Sequence, residues 1–324
     1  MTSLEEIKQP ILEQLKEFEA YYLQTLNSNE KSVTKVLKYL HKTGGKKMRP
    51  LFVLLCASLH GKITKESYIS ATIIEMMHTA SLIHDDIVDE SYSRRGFFSV
   101  NALWGSKKAV LIGDYILSVS LKLAIDNHYF KIIEIISDVM KDMSLGEILQ
   151  SESAEDLNFS EERYYEVIRC KTGVLLGACA EAGAVSAGAS EEDVEALAKF
   201  GTMLGLAFQI KDDILDYNTT NITGKPSLND IREKKMTLPL ILSLQNSTRE
   251  EQKTVLKWLR KVDSDRENVT NVYNFVMSKK GLDMASEKME TLKNEALLML
   301  ERYEDSEYKT ALVNYSNFIL ERKK

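Results

Sequence analysis

Proline and glycine are scarce in this chain, with 4 Pro (Pro10, Pro50, Pro226 and Pro239) and 15 Gly among 324 residues. A β-rich fold or a string of joined modules draws heavily on both for turns and linkers, so the scarcity argues against either. No Ser/Gly/Pro linker, low-complexity tract or fixed-period repeat interrupts the chain. Cysteine is nearly absent too. Cys56, Cys170 and Cys179 lack metal-ligand spacing, which excludes a zinc ribbon or a disulfide scaffold and fits a reduced interior. No uncharged run reaches the length of a membrane span; even AVLIGDYILSVSLKLAI carries Asp114 and Lys122. The opening MTSLEEIKQP has no apolar export core. A cytoplasmic protein with no transmembrane segment is therefore expected. Basic charge is in deficit, 42 Lys and Arg against 48 Asp and Glu for a net charge of −6, which argues against a nucleic-acid partner.

What the chain does have is helical periodicity. Apolar residues recur at 3.6-residue spacing almost throughout, and alternating strand-like runs are few. The spacing predicts helices over 4–26, 30–42, 49–60, 64–90, 100–125, 130–152, 160–189, 191–217, 235–246, 249–262, 266–278, 281–303 and 305–321. Ser160, Ser190 and Ser247 stand as helix caps, and breaks fall at Gly44-Gly45, Arg94-Arg95-Gly96 and Gly224-Lys225-Pro226. The expectation is one all-α domain over 1–324, a helical bundle with room inside for a ligand. The small-residue run GVLLGACAEAGAVSAGAS (173–190) reads as a close helix-packing surface rather than a phosphate loop.

Two near-copies of one acidic motif stand out: Asp85-Asp86-Ile-Val-Asp89 and Asp212-Asp213-Ile-Leu-Asp216. On a helix the first and fifth positions share a face, so each copy aims at least two carboxylates at one point. Both are set among apolar residues (SLIHDDIVDE and FQIKDDILDY), where bare carboxylates are costly without a cation. A single copy reads equally well as a solvated face; two copies in the same context point to Mg²⁺, with coordination positions left for a phosphate. Basic residues gather in a few turns. Gly44-Gly45-Lys46-Lys47-Met48-Arg49-Pro50 joins a glycine pair, three cations and a helix-starting proline. Arg94 and Arg95 follow the first acidic motif and either neutralise it or grip a phosphate. Lys171-Thr172, Gln209, Lys225 and Lys235 are, taken singly, ordinary surface or packing candidates.

Taken in order, GGKKMRP (44–50), EMMHTASLIHDDIVDES (75–91), SRRG (93–96), the KT pair at 171–172, FQIKDDILDY (208–217) and GKPSLNDIREKKMTLPL (224–240) resemble the trans-isoprenyl diphosphate synthases. The resemblance implies an isoprenoid-synthase helical bundle around a deep central cavity, with the two acidic helices facing each other across its mouth. It implies a prenyltransferase that condenses isopentenyl diphosphate head-to-tail onto an allylic diphosphate primer. Three Mg²⁺ ions, with Mn²⁺ as a substitute, would be held by Asp85, Asp86, Asp89 and Asp212, with Asp213 and Asp216 behind them. Arg94, Lys171, Lys225 and Lys235 would contact the allylic diphosphate. Lys46, Arg49, His78 and Arg95 would hold isopentenyl diphosphate, and Thr172 and Gln209 would line the reacting carbons. His84 reads as a structural neighbour. Many relatives carry a proline shortly after RRG; here Phe97-Phe98-Ser99 follows, which leaves the shape of that loop open.

In short-chain relatives bulky aromatics stand four and five residues ahead of the first motif. Here those positions are Ser81 and Ala80, both small. One helical turn rises about 5.4 Å, roughly one isoprene unit, so a tunnel is expected to run on past Met77, Met76 and Ile73 toward Met140 and Met143. The expected product is all-trans, about C30–C40 in length and suited to a quinone side chain, to be released toward a membrane. The alternatives are a C15–C20 synthase of the farnesyl or geranylgeranyl type, a class I terpene cyclase, and a non-catalytic subunit of a heteromeric synthase. GGKKMRP and a second complete DDxxD weigh against the cyclase, and the full set of carboxylates weighs against the inactive subunit. A homodimer is the expected assembly.

Overall fold

A computed structural model of the chain describes residues 3–94, 96–218 and 228–321. Within them the chain winds into α1 (Leu4–Lys8), α2 (Leu12–Thr25), α3 (Lys31–Thr43), α4 (Met48–Ser58), α5 (Lys65–Val88), α6 (Val100–Trp104), α7 (Ser106–Asp126), α8 (Phe130–Asp156) and α9 (Glu161–Ile168). It continues through α10 (Val174–Ser186), α11 (Glu191–Asn218), α12 (Asn229–Arg232), α13 (Leu238–Gln245), α14 (Arg249–Leu259), α15 (Arg266–Ser278), α16 (Gly281–Leu298) and α17 (Glu307–Leu320). The described strands are β1 (Ser93–Arg94) and β2 (Phe97–Phe98), an antiparallel hairpin with Arg94 opposite Phe97. The architecture is all-α, and no described helix is long and apolar enough to cross a membrane.

Three expected helices are broken, each for a local reason. Pro10 cannot donate a backbone hydrogen bond, and the chain passes through a 3₁₀ turn at Gln9–Ile11 before α2. Gly105 adopts φ +82°, open to glycine and strained for other residues, and separates α6 from α7. The predicted 160–189 helix contains a π-helical turn at Arg169–Gly173, which carries Lys171 and Thr172. Hydrophobic periodicity does not register one extra residue in a turn, and such bulges concentrate at functional sites. Ser160 and Ser190 cap as expected, but Thr248 takes the place of Ser247 because Glu251 completes a capping box with it.

Helix α10 is the hub of the bundle, packed against α4, α5, α8 and α11. It is apolar on all sides, as a central helix must be. Small residues make that closeness possible. A Cβ at Gly183 would lie 2.4 Å from the Val53 carbonyl of α4, and one at Gly201 would lie 2.4 Å from the Leu176 carbonyl of α10. The 173–190 run is therefore a packing surface. Around this hub the aromatic residues Phe200, Phe52 and Tyr315 tie α11, α4 and α17 together, Phe52 and Tyr315 stacking at 4.8 Å. Each such ring removes apolar area from water and contributes about 2 kcal/mol.

Candidate functional site

Both acidic motifs end long helices. Asp85 and Asp86 occupy the last turn of α5 with Asp89 as its C-cap, and Asp212, Asp213 and Asp216 lie in the last two turns of α11. Helix C-termini carry the negative end of the dipole, so each carboxylate there is disfavoured by about 0.3–1 kcal/mol. Burial and Glu147 push the Asp85 carboxyl up to about 6, while Lys171 and Arg94 pull it back. This is an arrangement short of positive charge.

The second aspartate of each motif turns inward, Asp86 at 5% and Asp213 at 4% exposure. The β1–β2 hairpin folds Arg94 back so that its Nε and Nη2 both sit 2.8 Å from Asp86 Oδ1. Asp213 instead accepts from the Tyr164 hydroxyl (2.7 Å) and Gln209 Nε2 (3.1 Å), and its carboxyl is raised to about 7 by burial and then by Asp230. Asp216 accepts from the backbone N–H groups of Asn229 (3.2 Å) and Asp230 (3.0 Å), fixing the start of α12. Among the described residues, no three Asp, Glu, His or Cys side chains converge as a ready-made metal cluster. Asp85 is half-buried, Asp89 exposed and Asp212 half-buried. One or two carboxylates at each helix end is the donor set that suits Mg²⁺, which keeps much of its shell for water and substrate phosphate.

Three clefts meet these helix ends. The first, about 850 Å³ with its open mouth included, is lined by Lys46, Arg49, His78, Asp86, Arg94 and the hairpin. Lys47 adopts φ +48°, and its side chain turns away to Glu19 (2.5 Å) and over the Tyr22 ring (4.7 Å). Arg49 Nε is buried without an acceptor. Such a donor costs stability unless an anion meets it. Arg94, assigned by the resemblance to the allylic diphosphate, lines the same cleft as Lys46, Arg49 and His78, which the resemblance assigns to isopentenyl diphosphate. Arg95 and Lys225 lie outside the described residues.

The second cleft, about 630 Å³, holds Lys171, Gln209, Asp213, Asp230 and Lys235. Gly146, Gly173 and Gly205 let α8, the π turn and α11 touch, and a Cβ at Gly146 would lie 2.8 Å from the Lys171 nitrogen. Lys171 Nζ bonds to Glu147 (2.7 Å) and Gln150 (3.2 Å), and Thr172 Oγ1 donates to Gln209 Oε1 (2.8 Å). Lys235 pairs with Asp230 (3.4 Å) and Glu233 (2.5 Å); burial works against its charge, and these acids more than offset it.

The third cleft, also about 630 Å³, runs from Asp85, Glu147 and Lys171 past Ser81 to Met77, Leu117, Met140 and Met143. Lys171 lines both this cleft and the second, so it stands between the two acidic ends. Ala80 and Met76 are fully buried on the adjacent face of α5 and do not line this cleft. His84 contacts α7 through the Val110 carbonyl (3.3 Å), where Gly113 leaves space for its ring.

Glu147, Gln150, Tyr164 and Asp230 were not singled out from sequence. Asp230 lies inside the stretch SLNDIREKKMTLPL, and membership of that stretch was the available signal. Glu147 and Gln150 sit in an ordinary amphipathic pattern on α8 and carried none.

Acidic helix ends, cation-lined clefts for anions and an apolar channel leading away define a bundle enzyme that handles phosphorylated hydrophobic substrates. A family model described as polyprenyl synthetase matches residues 30–276, and the chain belongs to that family. It is a polyprenyl diphosphate synthase, hence a prenyltransferase. The octaprenyl diphosphate synthase of Haemophilus influenzae is 33% identical over 323 residues, covering 99% of this chain and 98% of that one. A crystal structure of a decaprenyl diphosphate synthase from Rhodobacter capsulatus superposes with a TM-score of 0.90 at 31% identity over 98% of each chain. A Caulobacter crescentus polyprenyl synthase complexed with calcium and isoprenyl diphosphate gives a TM-score of 0.89 at 30% identity, covering 99% of this chain and 98% of that one.

Proposed function

We propose that the protein extends an allylic diphosphate by Mg²⁺-dependent head-to-tail addition of isopentenyl diphosphate, giving an all-trans chain of about C30–C40. The observation that carries this reading is the meeting of two anion clefts and one apolar channel at the carboxylate-bearing ends of α5 and α11. Lys46, Arg49 and His78 bind isopentenyl diphosphate in the first cleft, and Arg95 is assigned to the same substrate by the family resemblance. Lys171 and Lys235 bind the allylic diphosphate between the acidic helix ends, Lys225 binds the same diphosphate, and Arg94 pairs with Asp86 at the border of the two clefts. Asp85, Asp89 and Asp212 hold the metal ions, with Asp86, Asp213 and Asp216 fixing the helix ends behind them. Held there with the diphosphate, Mg²⁺ would supply neutralisation of the charge that develops as the carbon–oxygen bond breaks. Thr172 and Gln209, bonded to each other, lie beside that bond, and the apolar wall of the third cleft keeps water from the allylic cation. The double bond of isopentenyl diphosphate attacks the cation, and the departing diphosphate takes the proton.

The growing chain descends past Ser81 and Met77 toward Met140 and Met143, each helical turn accepting roughly one isoprene unit. Ser81 and Met77 line that cleft, so they outrank Ala80 and Met76 as the residues that set length. Relatives named for octaprenyl and decaprenyl products support a long chain, suited to a quinone side chain and delivered to a membrane from the cytoplasm. The working unit is a homodimer. Leu111 and Ile125 of α7 are 59% and 52% exposed, and Phe130 and Ile148 of α8 are 58% and 57% exposed, an apolar stripe that supports a two-fold contact.

The test is incubation with Mg²⁺, labelled isopentenyl diphosphate and farnesyl diphosphate, followed by extraction and thin-layer sizing of the dephosphorylated product. Linear polyprenol longer than C20 is expected. No incorporation would reject the reading, and a cyclic hydrocarbon would favour a cyclase.

A further inference from the structure

Resting on the assignment of the first cleft to isopentenyl diphosphate, we propose that the C-terminal helix α17 is part of that site, with Phe318 and Tyr315 as positioning residues for the GGKKMRP turn. The two lysines of the turn are splayed. Lys47 is drawn off by Glu19 and Tyr22 of α2, whereas Lys46 Nζ stands 5.3 Å above the Phe318 ring. Three residues earlier on the same helix, the Tyr315 hydroxyl donates to the Met48 carbonyl (3.2 Å), at the first residue of α4. Tyr315 is itself fixed by stacking on Phe52. Arg49, the other cation of the turn, follows Met48 directly, so the bond that holds the Met48 carbonyl also sets where α4 starts and where Arg49 projects.

Lys46 is exposed, and a free lysine chain of that kind samples many rotamers. An ammonium has three donors and can rest against a ring face while the others reach a phosphate. The ring therefore narrows the positions of Nζ before the substrate arrives, and less freedom is lost on binding. None of these contacts reaches the acidic ends of α5 or α11. The effect falls on one substrate of the two.

Steady-state kinetics on the full-length enzyme separate this role from plain packing. Phe318→Leu keeps the apolar bulk and removes the ring face; Phe318→Met does the same if the Leu variant folds poorly. The KM for isopentenyl diphosphate should rise about threefold, the ratio a part-exposed cation–π contact supports, with kcat and the KM for the allylic diphosphate unchanged. Phe318→Tyr, which keeps the ring, should restore the original value. Adding Phe318→Leu to Lys46→Ala should cause no further rise, because the contact is already gone. An unchanged or lowered KM, a parallel rise for both substrates, or a full effect in the Lys46→Ala background would overturn the proposal. If Lys46→Ala itself leaves the KM for isopentenyl diphosphate unchanged, the assignment of the cleft fails, and the role of Phe318 with it.

Discussion

Asp86 and Asp213 hold the same place in two copies of one motif and are equally buried, yet they are stabilised in opposite ways. Asp86 faces a guanidinium, and its charge is matched at 2.8 Å. Asp213 faces the neutral donors Tyr164 and Gln209, with Asp230 nearby, and its carboxyl rises to about 7. The difference lies in the chain just beyond each helix. After α5 the chain makes a two-residue hairpin that can bend an arginine straight back. After α11 the next described residues, Leu228, Asn229 and Asp230, bond through their backbone N–H groups to Asp216 and bring another acid to its side. A repeated motif thus specifies where carboxylates are, while the flanking chain decides how each is held. The first copy meets its buried carboxylate with an ionic partner, and the second meets it with neutral donors.

The strongest test of that contrast is removal of the metal. Chelation by EDTA, or Asp85→Ala, should lower isoprene incorporation by about a thousandfold or more, since metal stabilisation of a leaving diphosphate supplies several kcal/mol. Equal activity with and without chelator would break the cation argument for both motifs. Next in size is Arg94→Ala, which strands a buried carboxylate. A loss of about 3 kcal/mol in denaturant unfolding is expected. Tyr164→Phe removes one neutral donor from Asp213 and should cost about 1 kcal/mol by the same measurement. Were the two variants equally destabilised, the distinction between an ionic and a neutral partner would fall.

The all-α class and the two motifs were legible because helical periodicity and paired aspartates are local signals, whereas the helix count was not: thirteen expected helices became seventeen among the described residues. Lys46, Arg49 and His78, expected to serve one substrate, line one cleft. What escaped notice depends on tertiary placement. The π turn under Lys171 adds one residue to an otherwise regular pattern. The β1–β2 hairpin rests on Gly96 at φ +80° and on a pairing of only two residues per strand, too short for alternation to register. Asp230 becomes relevant only when Asp216 binds the start of α12. The residues expected to set product length show the limit most plainly. Counting back from Asp85 marked Ala80 and Ser81 alike, but they stand about 100° apart on α5; Ser81 faces the channel and Ala80 the core.

That pair offers the most direct measurement of the central claim, that the chain grows from Asp85 down the cleft past Ser81. Thin-layer sizing of the products of Ser81→Phe, Ala80→Phe and the unaltered enzyme, from the same primer, compares the two faces of one helix. Ser81→Phe should yield a product shorter by several isoprene units with turnover retained. Ala80→Phe should mainly overpack the core, costing about 1–3 kcal/mol of stability with product length unchanged. A full-length product from Ser81→Phe, or a shortened one from Ala80→Phe alone, would contradict the account.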